Sequence, residues 1–462
     1  MQRRIQRVHF VGIGGIGMCG IAELLHNQGY RVSGSDLREG PTVQRLRDLG
    51  IPVSLGHDGS HVHDADVVVY SSAVRHANPE LVEAERRKVP VIPRAEMLAE
   101  VMRLKDGIAV AGSHGKTTTT SLIAHVLGAA GLDPTAVIGG RVLGAGSDPT
   151  GARVGRGDVL VAEADESDGS FLRLTPVIAV VTNIDPEHLD HYGAFPALQD
   201  AFISFCNRVP FWGASILCLD HPGVQAILPH MTRRTITYGF APQADLVGTD
   251  VTPDGEGIRF GVEHSGRRLG DVRLPLPGRH NAANALATLA VAIELAVPFT
   301  TAAEALAEFG GIERRFQTWG SARGVRVVDD YGHHPAEIRA TLAAARDLDP
   351  ERVVVVFQPH RYSRTRDLFD EFATSFNDAD LLIVSDIYAA GEEKIPGVDA
   401  EGLTQAIAAH GHRDVRFVRD LEMVLEHLTA ELRPGDLVLT LGAGSVSGLA
   451  PRLLAALEGD GG

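Results

Sequence analysis

The stretch VAGSHGKTTTTSL, residues 110–122, predicts the fold most directly, because it has the form of a phosphate-binding loop. It follows an apolar run and continues into a helix-forming segment, so a strand, a glycine loop and a helix occur in order. Gly115, Lys116 and Thr117 give the G-K-[ST] ending of a Walker loop, but the leading glycine of that loop would fall at Val110. The glycine present is Gly112, so the loop is shorter than the common form.

The residue types in this loop predict an ATP site with Mg²⁺. Backbone N–H groups of residues 112–117 and the positive end of the following helix attract phosphate oxygens. Lys116 adds a charge for the outer phosphates, and the Thr117 hydroxyl is placed to bind Mg²⁺. The candidate nucleotide-binding residues of the loop are Gly112, Ser113, His114, Gly115, Lys116, Thr117 and Thr118.

Acidic residues follow two apolar strands downstream, in VAEADESD at 161–168 and TNIDPEHLD at 182–190. Adjacent parallel strands would bring these ends close to the phosphate loop, and hard oxygen ligands are what Mg²⁺ prefers. The candidate residues are Glu163, Asp165, Glu166, Asp168, Asp185, Glu187, His188 and Asp190. Solvated turns are the alternative for either stretch taken alone.

A second glycine loop lies near the N-terminus, where RVHFVG leads into GIGGIGM. With Asp36 about 20 positions later, it satisfies the dinucleotide fingerprint and favours NAD when taken alone. Any glycine turn into a helix can hold a diphosphate, so a substrate linked to a nucleoside diphosphate competes with NAD here. The candidate residues are Gly12, Gly14, Gly15, Gly17 and Asp36.

The last third of the chain offers amides, guanidinium groups and histidines. Asn281 and Asn284, in PGRHNAANALA, could read the edge of an adenine base, although helix capping explains one of them. Arginines in RRFQ and FQPHRYSRTRD suit carboxylate or phosphate groups, with an exposed surface role as the alternative. The candidates are Arg314, Arg315, Asp329, Asp330, His333, His334, His360, Arg361, Arg364 and Arg366.

Length and strand order predict three α/β domains in the 462 residues. Each begins with a strand and a loop and continues with alternating helices and strands, which predicts parallel sheets with ligands at the carboxyl ends of the strands. We expect an N-terminal Rossmann-like domain at 1–105, a central P-loop-type ATPase domain at 106–310 and a C-terminal Rossmann-like domain at 311–462.

The composition argues against several classes of function. The net charge of −16 gives no overall attraction to nucleic acid or to an anionic membrane. Three scattered cysteines suit a reducing cytoplasm, and no export signal or spanning segment is expected. His57, His61 and His63, in GHDGSHVHD, favour an exposed polar loop over a metal site.

In combination, these motifs resemble the Mur ligase family. The resemblance covers nearly the whole chain in family order, and the short phosphate loop is that family's form. Its motifs are GIGGIGM at 12–18, GSHGKTTT at 112–119, EADESD at 163–168, TNIDPEHLD at 182–190, PGRHNAANALA at 277–287, RRFQ at 314–317, DDYGHHPAE at 329–337, FQPHRYSRT at 357–365 and DIYAAGE at 386–392.

The resemblance implies a role for each domain: UDP-sugar binding, then ATP binding, then amino-acid binding. It implies Thr117, Glu163 and His188 at the metal, with Glu166 close by, and Arg315 and Asp330 near ATP and the reacting centre. It places Asn281 and Asn284 on the nucleotide side. The substrate-binding candidates are Gly12, Gly14, Gly15, Gly17, Asp36, His333, His360, Arg361 and Arg364.

The activity implied is ATP-dependent amide formation between L-alanine and the lactyl carboxylate of UDP-N-acetylmuramate, through an acyl phosphate. His333, His334 and His360 are alternatives for the base that deprotonates the amine. Other hypotheses are a recycling ligase that joins a tripeptide to the same sugar nucleotide, an NAD-dependent oxidoreductase and a partner-binding ATPase. We expect a cytoplasmic monomer or homodimer without nucleic-acid partners or membrane insertion.

Overall fold

The computed structural model describes residues 5–71, 73–140, 142–143 and 152–459, which contain three β-sheets flanked by helices. Residues up to 249, with 261–272 and 283–309, form one compact unit. Residues from 310 onward, with 250–260 and 273–282, form a second. Among the described helices, none is long and apolar enough to cross a bilayer.

The first sheet has five parallel strands in the order β3-β2-β1-β4-β5. The direction of winding reverses between β1 and β4, and open α/β sheets bind ligands at the carboxyl ends of strands at such a point. The strands are β1 (Arg7–Val11), β2 (Arg31–Asp36), β3 (Val53–Leu55), β4 (Val67–Tyr70) and β5 (Val91–Pro93). The helices are α1 (Ile16–Asn27), α2 (Pro41–Asp48), α3 (Pro79–Arg86) and α4 (Arg94–Met102).

The second sheet has ten strands in the order β15-β14-β13-β12-β11-β10-β6-β9-β7-β8. Its central strands are parallel, and their interior residues are apolar because they are covered on both faces. The strands are β6 (Asp106–Ala111), β7 (Thr135–Val137), β8 (Ala152–Arg153), β9 (Val159–Glu163), β10 (Ile178–Val181), β11 (Ala214–Cys218), β12 (Thr235–Gly239), β13 (Leu246–Asp254), β14 (Gly257–His264) and β15 (Arg267–Leu274). The helices are α5 (Lys116–Ala129), α6 (Leu189–Tyr192), α7 (Phe195–Cys206), α8 (Pro222–Ile227), α9 (Arg279–Glu294) and α10 (Phe299–Ala307).

The third sheet has six strands in the order β16-β17-β21-β18-β19-β20. All neighbours are parallel except β16, which runs antiparallel to β17 at the edge. The strands are β16 (Gln317–Ala322), β17 (Val325–Asp330), β18 (Arg352–Phe357), β19 (Leu381–Val384), β20 (Val415–Phe417) and β21 (Asp436–Leu441). The helices are α11 (Pro335–Arg346), α12 (Tyr362–Asp367), α13 (Phe369–Ala373), α14 (Ala400–Ala409), α15 (Leu421–Glu431) and α16 (Leu449–Gly459).

The three parallel-sheet regions confirm the predicted α/β class. Some strand pairs at the edges of the sheets are antiparallel. Strand β8 pairs antiparallel with β7, and β16 pairs antiparallel with β17 at the edge of the third sheet. The strands β11–β15 were not identified from the sequence. The core of the first unit is continuous through its buried valines, leucines and phenylalanines, which fixes the loops at the carboxyl ends of the strands.

Candidate active site

The phosphate loop joins β6 to α5, and two of its glycines have backbone angles that disfavour a side chain. Gly112 has φ +134°, and a Cβ there would lie 2.1 Å from the Thr182 hydroxyl. Gly115 has φ +80°, and a Cβ there would lie 2.7 Å from Asn284 Oδ1. The shortened loop therefore packs against the β10 end on one side and against α9 on the other.

The chain after β10 supports the loop through paired hydrogen bonds. The His114 N–H donates to Asn183 Oδ1 at 2.7 Å, and Asn183 Nδ2 donates back to the His114 carbonyl at 3.0 Å. The Thr182 hydroxyl donates to the same carbonyl at 2.5 Å. These contacts hold His114, a predicted nucleotide-binding residue, in a defined position between Ser113 and Gly115.

Lys116 folds back over its own loop toward a carboxylate. Its Nζ donates to Glu166 Oε1 at 2.8 Å and to the Gly112 carbonyl at 2.5 Å. Burial opposes the charge on Lys116, but the attraction of Glu166 and Glu163 outweighs it and raises the pKa of the lysine. Burial raises the pKa of Glu166 to about 7, against the attraction of Lys116. Glu166 therefore binds the Lys116 ammonium group, to which we would expect a phosphate to bind.

Thr117, Glu163 and His188, the predicted metal ligands, come from three adjacent strand ends. The Thr117 hydroxyl donates to Glu163 at 3.1–3.2 Å, and the Gly139 N–H donates to the same carboxylate at 2.9 Å. His188 has φ +56° and its Nε2 lies 3.9 Å from Glu166 Oε1. This neighbourhood forms because β6 lies between β9 and β10 in the sheet.

The chemistry of this group fits a hydrated Mg²⁺. Glu163, Glu166 and Thr117 offer hard oxygen ligands, and Mg²⁺ is held by few protein ligands together with water and phosphate. In addition, the buried Oε2 atom of Glu166 accepts no hydrogen bond from any described residue. A buried carboxylate oxygen without a partner is costly, and a cation or its bound water would satisfy it.

A second set of charged groups was only partly predicted. Asp185 lies between two imidazoles, with His114 Nε2 3.3 Å from one oxygen and His221 Nε2 3.3 Å from the other. Glu187 Oε1 lies 3.0 Å from His114 Nε2. Burial raises the pKa of Asp185, but hydrogen bonds from His114 and His221 outweigh it and lower the pKa below the usual range. His221 was missed, although it follows β11 in the way the acidic stretches follow β9 and β10.

Tyr192 is another site residue that was not predicted from the sequence. Its hydroxyl donates to the Glu166 carbonyl at 2.6 Å, so it fixes the backbone of the residue that pairs with Lys116. Burial, with the charges of Glu166 and Asp168, raises the pKa of Tyr192 to about 12 and keeps the hydroxyl a donor. The signal available in the sequence was its position two residues after Asp190, on the short helix α6.

The N-terminal glycine loop borders a cleft of about 420 Å³ that is also lined by Asp36, Leu37 and His57. Asp36 accepts hydrogen bonds from the Gly14 N–H at 2.9 Å and the Arg38 N–H at 3.2 Å, so it shapes the loop. Gly12 and Gly15 line the cleft with Gly14, whereas Gly17 faces the Arg94 side chain.

A second cleft, of about 540 Å³, adjoins the first through Ala73 and Val74. It lies between the first sheet and the 168–173 segment that follows β9, and three arginines line it. Arg75, Arg94 and Arg173 were not predicted, because isolated arginines carry no motif. The two clefts together lead from the glycine loop toward the acidic loop after β9.

The histidines predicted to lie in an exposed loop have a different environment. His57 and His61 are only 13% and 23% exposed, and both face the buried Glu80, whereas His63 is 53% exposed. The expectation was therefore wrong for two of the three, because α3 carries a carboxylate that no local pattern reveals.

The two asparagines of α9 are both buried and differ in their partners. Asn284 Oδ1 accepts from the Thr119 hydroxyl at 3.1 Å and lies against Gly115, next to the phosphate loop. Asn281 Nδ2 donates to the Pro277 carbonyl at 2.7 Å. Among the contacts described, Asn284 is the one that joins the nucleotide loop.

Within the second unit, Asp330 is buried at the end of β17. It accepts hydrogen bonds from the Phe316 N–H at 2.7 Å, the Gly332 N–H at 2.8 Å and the Thr341 hydroxyl at 3.2 Å. Burial raises the pKa of Asp330 to about 6, against the attraction of Arg315 and these N–H groups.

Four of the basic residues predicted in this unit lie in two groups. Arg314 and Arg315 both lie over the Tyr331 ring, at 4.8 and 5.1 Å from its centroid. His360 stacks on Tyr388 with ring centroids 5.6 Å apart, and its Nδ1 lies 3.3 Å from Arg364 Nη1.

Among the histidines of this unit, His334 has a structural task, since it caps α11 by accepting from the Ala336 N–H. Arg361 has φ +72° and immediately precedes α12 as its N-cap residue. Burial and the nearby positive charges of His333 and Arg364 lower the pKa of His360 to about 4.

Comparison with known proteins assigns a family to each region. Residues 7–106 match the Mur ligase family catalytic domain, residues 110–292 the Mur ligase middle domain, and residues 314–444 the Mur ligase glutamate ligase domain. The chain is 59% identical over 455 residues to UDP-N-acetylmuramate–L-alanine ligase of Anaeromyxobacter sp. strain Fw109-5, covering 98% of each chain.

Solved structures give the same correspondence. The chain resembles UDP-N-acetylmuramate-alanine ligase from Thermotoga maritima with a TM-score of 0.82 and 29% identity, covering 98% of this chain and 99% of that one. It resembles a murein peptide ligase from Psychrobacter arcticus with a TM-score of 0.70 and 25% identity, covering 98% of both.

Proposed function

The chain belongs to the Mur ligase family, and on that basis we propose that it joins L-alanine to the lactyl carboxylate of UDP-N-acetylmuramate, releasing ADP and phosphate. This would be a cytoplasmic step of peptidoglycan synthesis. The observation that carries the proposal is the meeting of Lys116, Thr117 and Glu163 at the ends of adjacent strands, beside a cleft that begins at a second glycine loop. The loop with Lys116 suits a nucleoside triphosphate, and the N-terminal glycine loop suits a substrate that carries a diphosphate.

We assign the nucleotide to the loop at 112–118 and Mg²⁺ to Thr117, Glu163 and His188. The metal would neutralise phosphate charge as it moves during the transfer. Lys116 would exchange its bond to Glu166 for the outer phosphates, because the two groups compete for the same ammonium. Asn284 supports the loop from α9, and Asn281 lies one helical turn earlier.

The reaction follows from the poor electrophilicity of a carboxylate. A lactyl carboxylate oxygen attacks the γ-phosphorus of ATP, ADP leaves, and an acyl phosphate forms. The alanine nitrogen then attacks the acyl carbon, and the tetrahedral intermediate expels phosphate. The contribution of the protein is positioning and charge stabilisation, through Lys116 and the loop N–H groups.

The amine must lose a proton before it attacks. Of the three histidines considered, His334 caps a helix through Nδ1, whereas the lowered pKa of His360 leaves that ring unprotonated at neutral pH. A general base works best when its pKa lies near the operating pH, so this low pKa makes His360 a weak base, and His333 and His360 are both candidates for the acceptor of the proton. His333, whose ring centroid lies 6.0 Å from that of His360, and the arginines Arg361 and Arg364 would bind the substrates nearby.

We assign UDP-sugar binding to residues 1–105, ATP binding to 106–310 and amino-acid binding to 311–462. The three regions that match family models lie within or at the edges of these limits, which supports the assignment. We propose that the protein acts as a monomer or homodimer, and sedimentation of the purified chain would distinguish the two.

Phosphate release tests the proposed reaction. It should require ATP, UDP-N-acetylmuramate and L-alanine together, and mass analysis should find a new amide. Lys116→Ala should lower the rate by at least about 100-fold, since it removes a charged donor from the phosphates. Lys88→Asn, at an exposed lysine with φ +60° where asparagine fits, is the control and should retain the rate. Full activity in Lys116→Ala would contradict the loop assignment.

The choice of amino acid or peptide as acceptor substrate needs a separate test, because the chain also resembles a murein peptide ligase. L-alanine, glycine, L-serine and a tripeptide should be offered at equal concentration. A preference for L-alanine supports the proposal, and a preference for the tripeptide would instead assign a recycling ligase.

A further inference from the structure

The N-terminal region holds a buried carboxylate that the proposed reaction does not use. Glu80, in the first turn of α3, is fully buried and faces three imidazoles and a hydroxyl. Its Oε1 lies 2.6 Å from His61 Nδ1, and its Oε2 accepts from the Ser35 hydroxyl at 2.6 Å. His9 Nε2 and His57 Nδ1 lie 3.5 and 3.6 Å from Oε2.

The hydrogen bonds around Glu80 fix its charge. Burial raises the pKa of this carboxyl, but bonds from His9, Ser35 and His61 outweigh it and lower the pKa to about 2. At neutral pH Glu80 is therefore ionised and can only accept. The Ser35 proton must point at Glu80, which leaves the Ser35 oxygen as an acceptor toward its other neighbour.

That neighbour is His57, whose Nδ1 lies 3.0 Å from Ser35 Oγ. Because Ser35 has already donated its proton, His57 Nδ1 must be the donor in this bond. In the neutral ring, the lone pair is then on Nε2. Among the described residues, the hydrogen bonds and ion-pair contacts of His57 all involve Nδ1, and His57 lines the cleft beside the glycine loop.

The geometry points to a specificity role: we propose that His57 Nε2 accepts a hydrogen bond from the imide N–H of a uracil base in this cleft. The inference rests on the proposed function, which supplies a uridine nucleotide. Cytosine carries a lone pair at the matching ring nitrogen, so it would face the Nε2 lone pair without a hydrogen. Leu37, 72% exposed at the same cleft, offers an apolar surface that suits a flat base better than ribose hydroxyls.

In this arrangement, Ser35 and Glu80 are positioning residues. They act through His57 by holding its proton on Nδ1, as a second partner of a histidine fixes which nitrogen is protonated. Selection of uracil then depends on a chain of three groups, of which only His57 meets the ligand.

Calorimetric titration with UDP, CDP and 2′-deoxy-UDP tests the proposal. A saturating non-hydrolysable ATP analogue with Mg²⁺ should be present, so that the ATP site is filled. The wild type should bind UDP at least about fivefold more tightly than CDP, the effect of one net hydrogen bond. 2′-Deoxy-UDP should bind like UDP. If the deoxy compound is the one that loses affinity, the donor is a ribose hydroxyl and the uracil assignment is overturned.

Two substitutions at one position separate the nitrogens of His57. His57→Gln can place an amide oxygen near the position of Nε2, so it should keep part of the preference for UDP. His57→Asn matches Nδ1 but does not reach the cleft, so its affinities for UDP and CDP should become equal. His63→Asn, at an exposed histidine of the same segment, is the control and should keep the wild-type ratio. Equal ratios in wild type and His57→Asn would overturn the proposal.

Ser35→Ala tests the positioning chain. Without the hydroxyl the proton of His57 is no longer fixed, so CDP should bind more tightly than it does to the wild type. A merely structural role would weaken both nucleotides together and would leave their ratio unchanged. If UDP binds but CDP binds equally or better to the wild type, this inference fails while the ligase assignment stands. If no sugar nucleotide supports phosphate release, the proposed function fails first.

Discussion

Lys116 and Glu166 form a buried ion pair that nucleotide binding should replace. Breaking such a pair leaves an uncompensated charge and lowers the free energy of unfolding by about 3–5 kcal/mol. Glu166→Gln should do so at pH 8, above the pKa of this carboxyl. Saturating Mg²⁺-ADP should reduce the loss, because phosphate oxygens take over the lysine. Urea unfolding with and without nucleotide measures both values.

The matched control is the exposed pair between Arg452 and Glu422. Glu422→Gln should leave the free energy of unfolding close to that of the wild type, with or without nucleotide, because solvent screens an exposed ion pair. An equal loss for Glu166→Gln in both conditions would show that nucleotide does not reach Lys116.

The raised pKa of Asp330 predicts how the free energy of unfolding depends on pH. Its pKa is about 6 in the folded chain and about 3.9 when unfolded, so between these values the folded state binds the extra proton. Stability contributed by this group is therefore present below about pH 4 and is lost as pH rises to about 6. The change amounts to about 3 kcal/mol. Urea unfolding of wild type and Asp330→Asn from pH 4.5 to 8 should show the wild type losing stability relative to the variant, and parallel curves would contradict this.

At the residue scale, motifs predicted the groups whose spacing is fixed by local chemistry. Lys116 and Thr117 follow from the loop, and Glu163 follows from its place at a strand end. Tyr192 and His221 have only a weak positional signal, after Asp190 and after β11, because each acts through a contact made only after distant strands pair.

The phosphate loop should be sensitive to an added methyl group. Gly112→Ala would place a Cβ 2.1 Å from the Thr182 hydroxyl and about 3 Å from Asn183 backbone atoms, at φ +134°. Backbone cannot move aside cheaply, so we expect a loss of at least about 2 kcal/mol in unfolding free energy and of ATP binding. Thermal unfolding and nucleotide titration measure the two effects.

Gly448→Ala is the matched control for this substitution. Gly448 is exposed, and a Cβ there meets nothing within 4 Å. Its unfolding free energy should change by no more than about 1 kcal/mol. If Gly112→Ala behaves in the same way, the loop conformation is not required for folding.

Elements were predictable where the chain is buried on both faces. Strand β10 is apolar throughout, and β6 and β18 are apolar after a charged first residue, because parallel strands are covered by helices. Strand β16 has a register shift between Thr318 and Gly320 and sits at an edge, so its alternation is broken. Half of the residues of β15 are charged and half are exposed, so the strand gives only a weak apolar signal.

At the scale of the whole molecule, ligand binding should raise stability in a way that separates the competing functions. A ligand at about 100 times its dissociation constant stabilises the folded state by about 2.7 kcal/mol. UDP in the presence of saturating Mg²⁺-ADP should therefore raise the unfolding midpoint further, since the two occupy different sites. NADH under the same conditions should not. Differential scanning fluorimetry checks this, and a shift with NADH alone would restore the oxidoreductase hypothesis.

The three-region architecture could be predicted from the sequence because each region repeats a strand, a loop and a helix. The clefts were harder to predict. The second cleft gathers Tyr70, Arg94 and Arg173 from separate segments of the chain, and no local pattern links them.

The contact between Thr119 and Asn284 has a consequence for how the chain is made. The two residues are 165 positions apart in sequence, and the phosphate loop lies against Asn284 at Gly115. A ribosome adding about 5–20 residues per second needs on the order of ten seconds to cover that distance. The growing chain therefore carries its loop without this support for that time, and ATP binding should begin only after α9 has emerged. Nascent chains stalled before and after that helix would differ in their capture on immobilised nucleotide.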